Sequence, residues 1–174
     1  MTDQTDNNAL LTVEGLKTYF PVRGSGLWGK VRYVRAVDGV NFRLARNRTL
    51  GLVGESGSGK TTVGRTLLRL IPATEGRIVF DGQEVLELSD RQMRPLRRRV
   101  QMIFQDPVGS LNPRMTVGDI ISEPLRIHSD LNRKERKQRV ADLLERVGLT
   151  GSYVSRYPHE FSGGQRQRIG VARA

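Results

Sequence analysis

Alternating apolar and polar residues near the N-terminus predict β-strands over residues 10–16 and 40–44. Residues 77–80 form a further predicted strand, followed by a turn at Asp81-Gly82. The apolar run 49–54 is bounded by glycine and predicts a buried strand, and residues 100–104 predict another. Residues 22–33 are rich in glycine and basic side chains, which favours an extended hairpin tip or loop.

Helix periodicity dominates the second half of the chain. Thr116 and Asn132 are in N-cap positions of two helices, and the second ends at Gly148. Ser89 with Gln92 predicts a capping box at an earlier helix. One apolar stripe lies on the helix that follows Asn132: Val140, Leu143, Leu144 and Val147.

The segment after the predicted strand 49–54 matches the phosphate-binding P-loop pattern G-x-x-x-x-G-K-[ST] without a gap. A helix is predicted over residues 61–70, ending near Pro72, so the order is strand, glycine loop, helix. Glycines let the backbone approach a polyphosphate, and the helix N-terminus adds its positive dipole end. The residues expected to contact ATP are Gly54, Glu55, Ser56, Gly57, Ser58, Gly59, Lys60, Thr61 and Thr62.

Within this loop, two side chains have distinct predicted roles. Lys60 can place its charge on the β- and γ-phosphates, and the Thr61 hydroxyl can ligate Mg²⁺. Glu55 and Ser56 are expected to contribute mainly through their backbone N–H groups. A second anion-binding pattern lies near the end of the sequence, where FSGGQ opens a helix at residues 161–165.

These motifs resemble those of the ATP-binding subunits of ABC transporters, most closely the dipeptide and oligopeptide importers. FSGGQ is similar to the LSGGQ signature, with Phe161 in place of the commoner leucine. VQMIFQD is similar to the strand and Q-loop, with Gln105 as the Q-loop glutamine. The resemblance extends over nearly the whole chain after residue 10 and includes AVDGVNF, GLVGESGSGKTT, QMIFQDPVGSLNPRMTVGDIISEPLRIH and RYPHEFSGGQRQRIGVARA.

The resemblance implies an α/β fold of the P-loop NTPase class, of ABC type. It implies a RecA-like strand lobe, an antiparallel β part and an inserted helical subdomain, incomplete at the C-terminus. We expect a disordered tail over residues 1–9 and a partial ATPase domain over 10–174. Its expected parts are the strand lobe at 10–106, the helical subdomain at 107–160 and the signature region at 161–174.

The resemblance also assigns individual roles. Tyr19 is expected to stack on adenine, with Phe20 as an alternative, and Gln105 to ligate Mg²⁺ together with Thr61. In a two-site dimer, the signature would cover the ATP of the other subunit through Ser162, Gly163, Gly164 and Gln165. The family's Walker B aspartate, catalytic glutamate and switch histidine have no counterpart in the sequence, so we expect ATP binding without appreciable hydrolysis by residues 1–174 alone.

Composition bounds the class of protein. The net charge of +11 suggests an anionic partner, but the charge is dispersed and no basic strand is interleaved with aromatics, so we expect no nucleic acid partner. No run approaches the ~20 apolar residues of a membrane span. The N-terminus lacks the features of a signal peptide. Without cysteine, neither a disulfide nor a thiolate metal site can form.

The resemblance therefore implies an ATPase that drives import of peptides or similar solutes at the cytoplasmic face of the bacterial inner membrane. Implied partners are a second ABC ATPase subunit, membrane permease subunits and, indirectly, a solute-binding protein. Two alternatives stay open. One is an ABC ATPase of DNA repair or translation, although chromosome-type members carry a long coiled coil between the Q-loop and the signature. The other is a nucleotide-binding module without catalysis.

Overall fold

The computed structural model describes residues 9–22, 31–104 and 107–174, without the side chains of residues 107 and 108. Over this part, the chain divides into two compact units, which meet in sequence between Arg97 and Arg98. We call the first the strand unit and the second the helical unit. The domain boundary expected from sequence, between residues 106 and 107, stays a prediction.

The strand unit is built on a four-stranded antiparallel sheet in the order β2-β1-β3-β4. Long strands β1 and β2 pair along their length, and β3 pairs with both β1 and the short β4. The strands are β1 (Ala9–Val22), β2 (Arg32–Ala45), β3 (Glu75–Phe80) and β4 (Gln83–Glu84). The predicted strands at 10–16, 40–44 and 77–80 are confirmed, and all three extend beyond their predicted limits.

A register shift in β1 changes which side chains point inward. Val13 and Leu16 are both buried, so the alternation slips between them, at Gly15, whose φ is +56°. Beyond the shift, the buried Thr18 hydroxyl lies 3.1 Å from the Thr66 hydroxyl of helix α1 (Lys60–Leu67). This polar contact ties the sheet to the helix that follows the P-loop.

Helix α2 (Asp90–Arg97) completes the strand unit. It begins with the predicted capping box, in which the Ser89 N–H donates to Gln92 Oε1 at 2.9 Å. The turn at Asp81-Gly82 is also confirmed, with positive φ at both residues joining β3 to β4. The core between sheet and helices is formed by Val13, Leu16, Val37, Val63, Ile78, Val85, Met93 and Leu96.

Two predicted strands are wrong. Residues 49–54 and 100–104 have no strand structure, and the first run is exposed throughout, with Val53 at 93%. A strand buried on both faces needs hydrogen-bonded neighbours on each side, and the described residues place none beside these segments. Helix α1 also ends earlier than predicted, because Leu68 caps it and Arg69 has a φ of +53°.

The helical unit forms around its own core. Its helices are α3 (Pro107–Ser110), α4 (Val117–His128), α5 (Arg133–Arg146) and α6 (Gly163–Arg173), with short 3₁₀ turns at Gly151–Ser155 and Pro158–Glu160. Both predicted caps are confirmed: Thr116 Oγ1 accepts from Asp119 N at 3.1 Å, and Asn132 forms a capping box with Glu135.

The predicted apolar stripe of α5 faces this core. Val140 and Leu144 are buried, and Leu143 and Val147 pack against them. Leu144 and Ile169 are fully buried, so α5 and the signature helix α6 share one apolar interior. Among the described residues, no helix combines the length and apolarity that crossing a bilayer requires.

Candidate functional site

The P-loop forms a tight, exposed turn ahead of α1. Ser58 N donates to Glu55 O at 3.2 Å, and Gly57 and Gly59 have φ of +82° and +91°. These left-handed conformations favour glycine, because a Cβ there is strained. The backbone therefore adopts the local geometry that the glycine spacing predicts, and the residues 54–58 face solvent.

Lys60 folds back over the loop. Its Nζ donates to Gly54 O at 2.8 Å, to Ser58 Oγ at 3.2 Å and to the Glu55 carbonyl. Lys60 is half-buried, and the three partners of its ammonium are neutral oxygens. A phosphate oxygen carries more negative charge than a carbonyl and makes a stronger, charge-assisted hydrogen bond, so it can replace such a partner.

The N-terminus of α1 is open to an anion. Gly59 is the N-cap residue and has no side chain with which to cap the first N–H groups, and the first turn contains no acidic residue. The positive end of the helix dipole is therefore left without a protein counter-charge. Thr61 is exposed at this end, which suits its predicted role as a metal ligand. Thr62 instead accepts from Thr66 Oγ1 through its carbonyl, at 2.8 Å.

The loop rests against strand β2. A Cβ placed on Gly59 would lie 2.2 Å from the Ala36 carbonyl oxygen, so only glycine fits there. The β1–β2 register shifts at this point, where Thr18 pairs with Val37 but Tyr19 pairs with Arg35. Ala36 is the extra residue between these pairs. A bulge in β2 therefore meets the P-loop and re-aims the side chains beside it.

Tyr19 lies next to this bulge, at the edge of the region that the P-loop contacts. Its hydroxyl donates to the carboxylate of Asp38, and the Arg35 guanidinium lies over its ring, 5.6 Å from the centroid. The hydrogen bond to Asp38 raises the pKa of Tyr19 and lowers that of Asp38. Sequence reasoning missed Asp38 and Arg35, because only the pairing register of β1 and β2 brings them to Tyr19.

The signature residues begin α6 in the helical unit. Ser162 caps the helix by accepting from Gln165 N at 3.3 Å, and Gln165 Oε1 accepts from Ser162 N at 3.0 Å. Gly163 and Gly164 are exposed, and apart from their chain neighbours and the backbone of their own helix, no described atom lies within 4 Å of the position of a Cβ on either. The helix start thus presents an open backbone surface.

Phe161 anchors this end of α6. Its side chain is buried and packs edge-on against Tyr153, with ring centroids 5.4 Å apart. The aromatic residue that replaces the commoner leucine of the signature is therefore a core residue. The fourth predicted element, Gln105, lies outside the described residues. The structure places Tyr19 beside the bulge of β2 that the P-loop contacts, whereas the signature belongs to the helical unit.

Comparison with known proteins identifies the family. A profile described as ABC transporter matches residues 37–174. The chain is 52% identical to the oligopeptide transport ATP-binding protein AppF of Bacillus subtilis, over 97% of this chain and 52% of that protein. It is 56% identical to the glutathione import ATP-binding protein GsiA of Escherichia coli K12, over 97% of this chain and 27% of that protein.

Solved structures share the fold. The ATP-binding cassette MJ0796, in a structure described as a dimeric post-hydrolysis state bound to ADP and Pi, has a TM-score of 0.79 at 24% identity. The match covers 94% of this chain and 68% of that one. For cbiO1 of Clostridium perfringens, the TM-score is 0.72 at 24% identity, over 95% of this chain and 61% of that one.

The chain spans about half the length of AppF and about a quarter of GsiA. The matched region nevertheless contains the P-loop and the signature helix, whose local geometry is described above. The profile match covers most of the chain, the identity to both transport proteins exceeds one half, and the fold agrees. The chain therefore belongs to the ABC transporter family.

Proposed function

We propose that this chain is the ATP-binding part of an ABC importer subunit, which couples ATP binding and hydrolysis to uptake of peptides or similar solutes. The observation that carries the proposal is the Lys60 ammonium, held within the P-loop by three neutral oxygens beside an uncapped helix N-terminus. The similarity to AppF, an oligopeptide transport protein, and to GsiA, a glutathione import protein, supports the solute class.

In this proposal, ATP phosphates are bound by the backbone N–H groups of residues 54–62 and by Lys60. Mg²⁺ would be held by the Thr61 hydroxyl and by Gln105, and would neutralise charge on the phosphates. The exposed position of Thr61 at the start of α1 fits this role. Tyr19 supplies a ring for the adenine base. Hydrolysis is proposed for a protein of the length of the relatives, which extends beyond these residues.

The remaining parts of the proposal concern assembly. A second ABC ATPase subunit would receive the signature residues Ser162, Gly163, Gly164 and Gln165 at its own ATP. The open backbone at Gly163 and Gly164 supports this, because an approaching phosphate would meet no side chain there. The conformational change that follows ATP binding and hydrolysis would pass to membrane permease subunits at the cytoplasmic face of the bacterial inner membrane. A solute-binding protein would act indirectly.

Replacement of Lys60 tests phosphate binding. We expect Lys60→Ala to weaken MgATP binding by at least about tenfold, because a charged hydrogen-bond donor contributes roughly 1.5–3 kcal/mol. The measurement is equilibrium titration with a fluorescent ATP analogue. Arg65→Ala is the matched control, since it also removes one cation from α1 but lies in the last turn. Equal affinities of wild type and Lys60→Ala, with the fold intact, would refute the proposed site.

A further inference from the structure

Beside the P-loop, β2 carries an ion pair that encloses the Tyr19 ring. Arg35 Nη1 lies 3.4 Å from one carboxylate oxygen of Asp38, and the Tyr19 hydroxyl donates to the other. Asp38 therefore connects the ring and the guanidinium through its two oxygens. All three residues lie in the strand unit, on the paired strands β1 and β2.

The ring is fixed from several directions. The Arg35 guanidinium lies over it, so one face already has a cation as its partner. The Tyr19 backbone N–H donates to Thr74 Oγ1 at 2.8 Å, which ties the strand to the start of β3. Because the guanidinium lies over one face of the ring, a planar ligand that stacks on Tyr19 would take the opposite face.

The same stretch of β2 contacts the P-loop. Ala36, whose carbonyl lies against Gly59, is directly between Arg35 and Val37 and two residues from Asp38. The bulge at Ala36 thus sets both the approach of the loop and the direction of the flanking side chains. A ligand with phosphates in the loop has its far end near Tyr19 if it extends along this strand.

We propose that Asp38 and Arg35 are positioning residues that hold the Tyr19 ring in the orientation in which it stacks on the nucleotide base. The inference rests on the proposed function, because it requires ATP in the P-loop. Fixing an aromatic side chain before binding removes the entropy that would otherwise be lost when the base orders it. Asp38 and Arg35 then influence affinity for the base without contacting it.

A purely structural role would have a different signature. The side chains of Arg35 and Asp38 are 67% and 44% exposed, and ion pairs this exposed contribute little to stability because solvent and salt screen them. Removing the pair should therefore leave the fold nearly intact. The positioning role predicts a change in binding of nucleotides that have a base, and none in binding of the phosphate chain alone.

The test measures binding of ATP and of inorganic tripolyphosphate, which lacks the base, to the purified chain. We expect Asp38→Ala to weaken ATP binding about threefold to tenfold, within the range of base–aromatic stacking. Asp38→Asn, which keeps an acceptor oxygen, should stay within about twofold of wild type. Tyr19→Phe should lose as much ATP affinity as Asp38→Ala, and the variant that combines both substitutions should lose no more than either. Tripolyphosphate affinity should be unchanged in all of them.

Glu84→Ala is the matched control, because it breaks an exposed ion pair with Arg77 on β3 and β4. Thermal unfolding of each variant identifies any that fails to fold. If Asp38→Ala fails to fold, Tyr19→Phe still tests the hypothesis. Wild-type affinity for ATP in Asp38→Ala and Tyr19→Phe would overturn the inference. So would equal losses of ATP and tripolyphosphate, or a wild type that binds ATP no more tightly than tripolyphosphate. Failure of the wild type to bind either probe would instead refute the P-loop assignment and the inference with it.

Discussion

The helical unit and the segment that leads into the P-loop differ in how their apolar residues are covered. In the helical unit, Leu144 and Ile169 are fully buried in a core shared by α4, α5 and α6. In the segment 49–54, Leu52 is 47% and Val53 93% exposed, although the sequence there is as apolar as that of a core strand. Equal hydrophobicity therefore gives opposite burial in the two regions.

The difference follows from where each element finds its hydrogen bonds. A helix satisfies its backbone internally and needs only one covered face, which neighbouring helices of the same unit supply. A strand buried inside a sheet needs hydrogen-bonded neighbours at both edges and layers on both faces. The helical unit contains what its elements require, whereas the described residues contain no strand beside 49–54.

The largest expected effect comes from the helical core. We predict that Leu144→Ala destabilises the helical unit by about 2–5 kcal/mol, because it removes buried methyl groups and leaves a cavity. Leu52→Ala should change the stability of the strand unit by no more than about 0.5 kcal/mol, as surface substitutions do. Urea unfolding, monitored by hydrogen exchange of peptides from each unit, gives the change in unfolding free energy for both variants.

Similar losses for the two variants would contradict this comparison. They would mean that the segment 49–54 packs as tightly as the helical core in solution. A loss of stability confined to Leu144→Ala would show that the helical core is buried and the segment 49–54 is not, as the exposed fractions of their side chains indicate. Val53→Ala, at the most exposed position of the segment, repeats the control with a smaller side chain.

The same contrast explains which elements the sequence predicts. Capping patterns at Ser89, Thr116 and Asn132 were sufficient to place three helix starts, because a cap and its partner lie within three residues of each other. The strand at 49–54 was predicted wrongly, because an apolar run states a preference for burial but not which segment provides it. Contacts between residues close in sequence can be predicted from local patterns, whereas the pairing of distant segments cannot.

The second prediction concerns the contact between loop and strand. Gly59→Ala should destabilise the strand unit by about 1–3 kcal/mol and abolish tight ATP binding, because its Cβ would lie 2.2 Å from the Ala36 carbonyl oxygen. Its positive φ adds backbone strain. Thermal unfolding and nucleotide titration measure the two losses. Gly51→Ala is the control, since no described atom lies within 4 Å of its Cβ position.

Wild-type stability and ATP affinity in Gly59→Ala would show that the loop does not rest on Ala36.

At this site, too, the sequence predicts the local structure but not the contacts between distant segments. The P-loop residues, their conformations and the helix after them follow from the spacing of Gly54, Gly57 and Gly59. The contact with Ala36, and the Asp38 and Arg35 side chains around Tyr19, depend on the bulged register of β1 and β2, which no local pattern encodes.

The third prediction addresses a helix start. Asn132→Ala should destabilise α5 by about 1 kcal/mol, because Asn132 Oδ1 accepts from both Lys134 N and Glu135 N. Asn132→Asp keeps an acceptor and should lose much less. Hydrogen exchange in the first turn of α5 is the readout. If exchange there is as slow in Asn132→Ala as in wild type, packing rather than the cap holds this end of the helix.

The smallest expected effect is a pH dependence of stability from the contact between Tyr19 and Asp38, which lies on the surface and not in a core. The hydrogen bond lowers the pKa of Asp38 from its ordinary value of 3.8 and raises that of Tyr19 from 10.0. It requires an ionised acceptor and a protonated donor. Its contribution is therefore present between these two ordinary values, is lost as the pH falls through the folded pKa of Asp38, and is lost as the pH rises through that of Tyr19. The difference in thermal midpoint between wild type and Asp38→Ala should be constant near neutral pH and shrink as the pH falls below 3.8 or rises above 10.0. Tyr19→Phe should give the same profile, whereas Glu84→Ala should show no alkaline limb. A difference that stays constant as the pH rises well past 10.0 would mean that the Tyr19 hydroxyl does not donate to Asp38 in solution.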